Sequence, residues 1–201
     1  MLASRVGWLA LVLAMAAACG GSAGTGGSSA GTGGGNAGNG GGNAGTGGGN
    51  AGTGGMSSFT PATPAADVCS MLALADVQTL LPGATGGTPL ANNDDADLWS
   101  RGCEWQTDGP DITLFVDGAR TSNGVFLLGF LVEAHSNSNT QATPVSGVGD
   151  AAVFIDNLNL NDQILNARKG NQLVSLAFYP TAAKATEASL EPLVIEALGK
   201  L

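Results

Sequence analysis

Between Gly20 and Ser58 the chain holds no Asp, Glu, Lys, Arg or Pro, and Met56 is the only apolar residue there larger than alanine. This stretch limits what the chain can fold into. A seven-residue unit recurs in it, with asparagine at Asn36, Asn43 and Asn50. The period does not make a coiled coil, because no repeat position is apolar beyond alanine. Nor is it collagen, since glycine does not fall strictly at every third place and proline is lacking. Such a composition buries too little apolar surface to offset the entropy of ordering, and it reads as a flexible coil. Some 38 residues of this kind span about 30–37 Å on average. Folding is left to what lies on either side: a short leader and the segment Phe59 to Leu201.

The leader has one charge, Arg5, followed by the apolar run Val6 to Ala18, which is 13 residues long. A membrane-spanning helix needs about 20, so the run reads as a signal peptide over residues 1–18. Ala16-Ala17-Ala18-Cys19 resembles a bacterial lipobox, although a branched apolar residue is usual where Ala16 stands, and the same residues are a passable A-x-A site for plain secretion. Cysteine arithmetic favours the lipobox. Of three cysteines, Cys69 and Cys103 are able to pair within the domain, which leaves Cys19 over in an oxidising compartment. Acylation of Cys19 resolves the odd count. More than one acyl chain anchors stably, each buried methylene adding about 0.8 kcal/mol. Gly20 in place of aspartate implies, by resemblance to diderm sorting signals, an outer-membrane lipoprotein on the periplasmic or surface face. The tether resembles those of myxobacterial lipoproteins.

All sixteen acidic residues lie in Phe59–Leu201, against six basic ones once Arg5 leaves with the leader, a balance of −10. That excludes a nucleic-acid binder, which needs clustered Lys and Arg, and disfavours docking on an anionic surface. Ala66–Leu81 has helical apolar spacing and stops at Pro82-Gly83. Gly83–Leu98 reads as loop. Gly102–Thr107 and Ile112–Val116 read as strands around Asp108-Gly109-Pro110. Val125–Ala134 is an apolar run whose period does not separate helix from strand; a cap at Ser122 or Asn123 tips it to helix. Ser136–Pro144 reads as loop and Ala151–Ile155 as a strand. Gln163–Lys169 and Leu173–Tyr179 form a hairpin around Gly170-Asn171. Leu190, Leu193, Val194, Ala197, Leu198 and Leu201 share one face of a last helix beginning near Ser189, which leaves Pro192 in the first turn. The expected fold is α+β: a mostly antiparallel sheet of about five strands flanked by N- and C-terminal helices.

A Cys69–Cys103 disulfide would join the first helix to the first strand and close a loop of about 35 residues. Cys69-Ser70-Met71-Leu72, Ala75-Asp76-Val77, Leu80-Leu81, Gly102-Cys103-Glu104-Trp105 and Gly147-Val148-Gly149-Asp150-Ala151-Ala152, in that order, resemble the cysteine-paired lipoproteins of unknown function common in actinobacteria. The resemblance covers most of Val68–Leu201. It implies an α+β domain with the first cysteine on a helix and the second before a strand tryptophan, and it implies no activity.

The chemistry-bearing patterns are few. Gly147 to Ala152 fits G-x-G-x-x-A, yet a loop precedes it and a strand follows, the reverse of a dinucleotide site, so it reads as a tight turn. Asn93, Asp95, Asp97 and Glu104 match positions 1, 3, 5 and 12 of an EF-hand count, but Leu98 stands where glycine is required. The loop reads as solvated, with Asp94, Asp95 and Asp97 kept as a weak calcium candidate. His135, the only histidine, has no activated Ser or Cys nearby in sequence, and reads as a helix-end or loop residue. No catalytic residue and no cofactor is assigned. The sequence points to a non-enzymatic, lipid-anchored binding or accessory domain whose partner is the membrane through its lipid and an unknown envelope protein, polymer or small ligand. A carboxylate-dependent envelope hydrolase and a purely structural surface module are the alternatives.

Overall fold

The computed structural model describes residues 59–180 and 184–201; the leader, Cys19 and the repeat lie outside them. Strands β1 (Thr88–Pro89), β2 (Asn93–Asp94), β3 (Leu98–Gln106), β4 (Asp111–Ala119), β5 (Thr140–Val145), β6 (Ala151–Asn157), β7 (Asp162–Lys169) and β8 (Gln172–Tyr179) form one sheet. Its order is β1-β3-β4-β8-β7-β6-β5, with β2 also on β3, and every pairing is antiparallel. A 3-10 turn at Val68–Met71 precedes helices α1 (Leu74–Leu80), α2 (Ser122–Phe130) and α3 (Glu187–Gly199). The fold is α+β as expected, with eight strands rather than five.

The Gly170-Asn171 turn forms as its chemistry demands. Lys169 pairs with Gln172 across a two-residue loop, and Gly170 takes φ +62 while Asn171 does not become left-handed. That is the φ signature of a type II′ turn, with glycine first. The expected core helix also forms. Leu190, Leu193, Val194, Ala197 and Leu198 are buried on α3, which lies across β7 and β8. With the N-terminal Val68, Met71, Leu72, Val77 and Leu81 they cover Cys103, Leu114, Leu165 and Leu176 on one sheet face. Cys69 and Cys103 form a disulfide with Cα atoms 5.1 Å apart.

Four expectations need correcting. The single first helix is broken, because Leu72 (ψ 133) and Ala73 (ψ 136) are extended. Met71 and Leu72, at the start of the break, both face the core, at 4% and 3% exposure. Helix α2 is capped by Thr121, whose hydroxyl accepts from Gly124 N at 3.2 Å, and not by Ser122 or Asn123. Helix α3 starts at Glu187, with Thr186 N donating to Ser189 Oγ at 2.8 Å. Pro192 therefore sits in the second turn, where its missing N–H costs a helical bond. The supposed loops Gly83–Leu98 and Ser136–Pro144 contain β1, β2 and most of β5. These strands are largely exposed, so no alternating apolar pattern announces them.

Those three strands finish the sheet edges. An open edge is a template for unwanted pairing. On β5, Asn137 N donates to Thr140 O (3.0 Å) and Thr140 N to Asn137 Oδ1 (3.1 Å). Ser136 Oγ accepts from Ala142 N (2.9 Å) and donates to Ala142 O (3.3 Å). Pro144 has no N–H to offer. On the other side, β1, β2 and the bonds Leu90 N to Gly102 O and Asp95 N to Leu98 O, both 2.9 Å, occupy the outer edge of β3.

Candidate functional site

Strand side chains alternate between faces, so the register defines a second face. It carries Ser100 and Glu104 of β3, Thr113, Phe115 and Asp117 of β4, Ser175 and Ala177 of β8, Ile164 and Asn166 of β7, and Val153 and Ile155 of β6. Among the described helices only α2 lies on it. Leu128 packs there on Ala119 and Leu173, and Asn166 Nδ2 donates to Leu131 O at 3.0 Å. Seven strands side by side span roughly 29 Å, whereas a helix is about 10 Å across. One nine-residue helix therefore leaves much of the face without a helical cover. Phe115 and Ile155 are partly exposed, whereas Thr113, Val153, Ile164, Asn166 and Ala177 of the same face are buried. The outward side of α2 adds Phe126 and Phe130, at 71% and 52% exposure.

Asp117 gives this face its one perturbed side chain near α2. It is half-buried, and burial pushes its carboxyl up to about 6, while the bond from the Ser100 hydroxyl pulls the other way. Sequence reading missed Asp117, Ser100, Phe115 and Ile155. Their only local signal is the strand alternation itself, which does not say which face a helix will cover.

The acidic loop is structural. Asp94 pairs with Arg101 Nη1 at 2.6 Å and Arg120 Nη2 at 3.1 Å, and the hydrogen bond from Arg101 leads in holding its carboxyl below the usual range. Asp95 Oδ1 accepts from the amides of Asp97 (2.7 Å) and Leu98 (2.6 Å). Asp97 accepts from the Thr121 hydroxyl and from Asn123 Nδ2 (2.7 Å) at the start of α2, and these bonds lower its pKa. The three calcium candidates thus face separate partners, and Asn93 and Glu104 lie on separate strands, β2 and β3. Among the described residues no group of three His, Cys, Asp or Glu is placed to hold a metal.

Gly147 and Gly149 take φ +83 and +60 in the turn before β6, and a Cβ on Gly149 would meet Arg168 O at 2.3 Å. The G-x-G-x-x-A run is a tight turn leading into a strand. His135 is exposed, its Nε2 3.3 Å from Glu133 Oε2 and its ring 5.0 Å from that of Phe130. The neighbouring Ser136 hydroxyl serves the β5 edge. A cavity of about 510 Å³ lies between Thr60–Ala65, Asn171, Gln172, Lys200 and Leu201, and one of about 900 Å³ beside the Gln106–Pro110 turn, Pro82 and Gly83. In the first, Lys200 is engaged by Ser70 O and Glu196 Oε1; in the second, the Thr107 hydroxyl donates to Pro110 O at 3.0 Å. No known protein family, curated protein or solved structure matches the chain.

Proposed function

We propose that this is a non-enzymatic binding or accessory domain of the bacterial cell envelope, held to the outer membrane through lipid on Cys19 and carried on the Gly/Asn/Thr tether. The leader, the lipobox-like residues and the odd cysteine support the anchor. The disulfide between Cys69 and Cys103 suits an oxidising compartment. One observation carries the binding reading: a sheet face that its single helix only partly covers, with Phe115 and Ile155 as an apolar floor and Glu104 and Asp117 on the same face. Such a surface fits a ligand with an apolar body and a cationic or hydrogen-bond-donating group.

Two measurements test this. Mass spectrometry of the native protein should find a processed start at Cys19 bearing fatty acid; an intact leader or an unacylated start removes the anchor. A solvatochromic apolar dye with an ammonium group should brighten on the wild type and lose that signal in Phe115→Ser and Ile155→Ser. Equal brightness in all three removes the binding face. A second reading, a carboxylate-dependent hydrolase, draws on Asp117 alone, since a carboxyl near 6 suits general acid–base work. Loss of an envelope hydrolytic activity in Asp117→Asn would support it.

A further inference from the structure

Asp162 opens β7 on the less covered face and is 0% exposed. Neither of its carboxylate oxygens has a hydrogen-bond partner on another residue. An ionised carboxylate in such a place is costly, so it binds a proton or gains water by moving. The β6–β7 turn leads directly into it. Asn157, the cross-strand neighbour of Asp162, spends its Oδ1 on the amides of Asn159 (3.2 Å) and Leu160 (3.3 Å). Asn161 is the one non-glycine residue with positive φ among those described, at +56. Leu158 N donates to Asn139 O at 2.8 Å, and Leu158 and Leu160 stand 46% and 59% exposed at the tip. The turn is thus short, held by Asn157 Oδ1 and by Asn139 O, and leads directly into a buried acid that has no partner on another residue.

We infer that the β6–β7 turn is a proton-operated latch, closed while Asp162 is neutral and opened to water when Asp162 ionises. The charges around it leave Asp162 without a counter-ion. On β6, Asp156 is engaged by Lys184 Nζ at 2.7 and 3.0 Å and by Gln163 Nε2 at 3.1 Å. Asp111 of β4 and Tyr179 of β8 lie along the same end row of the same face. Among the described residues Lys184 is the one cation acting on the group, and it is taken by Asp156. Burial raises the Asp162 pKa and Asp156 adds to that, while its own amide and Lys184 oppose.

Opening that releases one proton grows up to tenfold per pH unit. Amide exchange of Leu158 to Gln163 in the purified mature protein, corrected for the intrinsic pH dependence of exchange, should therefore accelerate above pH 3.8, the ordinary Asp value, and level off once the closed form ionises. In Asp162→Asn the corrected rate should stay flat with pH. A wild type as flat as the variant, or a variant with the wild-type slope, overturns the latch. Should Asp162→Asn not fold, the carboxyl carbon resonance of Asp162 in the wild type decides: a midpoint well above 3.8 supports the latch and one at 3.8 overturns it.

Discussion

Replacing Gly118 by alanine puts a methyl group into the ring of Trp99. The added Cβ would lie 2.2 Å from Trp99 Cε2 and Cζ2 and 2.5 Å from Nε1, where ordinary contact begins at 3.4 Å. The indole would have to retreat by about 1.2 Å, the difference between 3.4 and 2.2 Å. It has little freedom to do so: Trp99 is 1% exposed, faces Gly118 directly across β3 and β4, and donates from Nε1 to Ala62 O at 2.9 Å. A retreat of that size breaks the bond that ties the entering chain to the sheet. Overpacking costs about 1–3 kcal/mol, and a buried donor left unpaired about 1–3 kcal/mol more. Gly118→Ala should lose about 2–6 kcal/mol in urea unfolding followed by tryptophan emission, to which the buried Trp99 and Trp105 contribute. The double-mutant cycle with Trp99→Leu should show a coupling of at least about 1 kcal/mol, since the clash exists only when both groups are present. A loss under about 0.5 kcal/mol, or no coupling, would refute the argument.

Removing the disulfide in Cys69→Ala/Cys103→Ala, which frees a loop with a sequence separation of 34, should cost about 4 kcal/mol by the chain-entropy relation; unchanged melting would count against it. The Asp117 carboxyl should titrate near 6 by NMR, and higher still in Ser100→Ala, which removes the opposing bond. Because its folded pKa lies above 3.8, its contribution to stability is greatest at low pH, falls as pH rises from 3.8 to about 6, and is level beyond that; a midpoint near 3.8 refutes the burial argument. Pro192→Ala restores an amide to the exposed side of α3 and should raise stability by up to about 3 kcal/mol; a loss in the melting assay would show that the ring itself contributes packing.

Local chemistry made some of these features readable in advance. Gly170-Asn171 marks its turn because glycine is at ease with positive φ, and the spacing Leu190, Leu193, Val194, Ala197, Leu198 marks α3 because one face must be buried. The break at Leu72–Ala73 was not readable: no proline or glycine within Ala66–Leu81 marks it. Nor were β1, β2 and β5, whose exposed residues pair only because β3 and β6 present open backbone edges. Asp97 read as part of a solvated loop because nothing in its own segment reveals Thr121 and Asn123, more than twenty residues on, as its partners.

The sequence alone determined the two cysteines able to pair, the hairpin of β7 and β8 and the apolar stripe of α3. These depend on composition, backbone preference and the period of neighbouring residues. Tertiary structure decided the eight-strand order, the sheltered edges, the partners of each carboxylate and the face that α2 leaves partly uncovered. Those depend on which distant segments meet, and no stretch of adjacent residues carries that information.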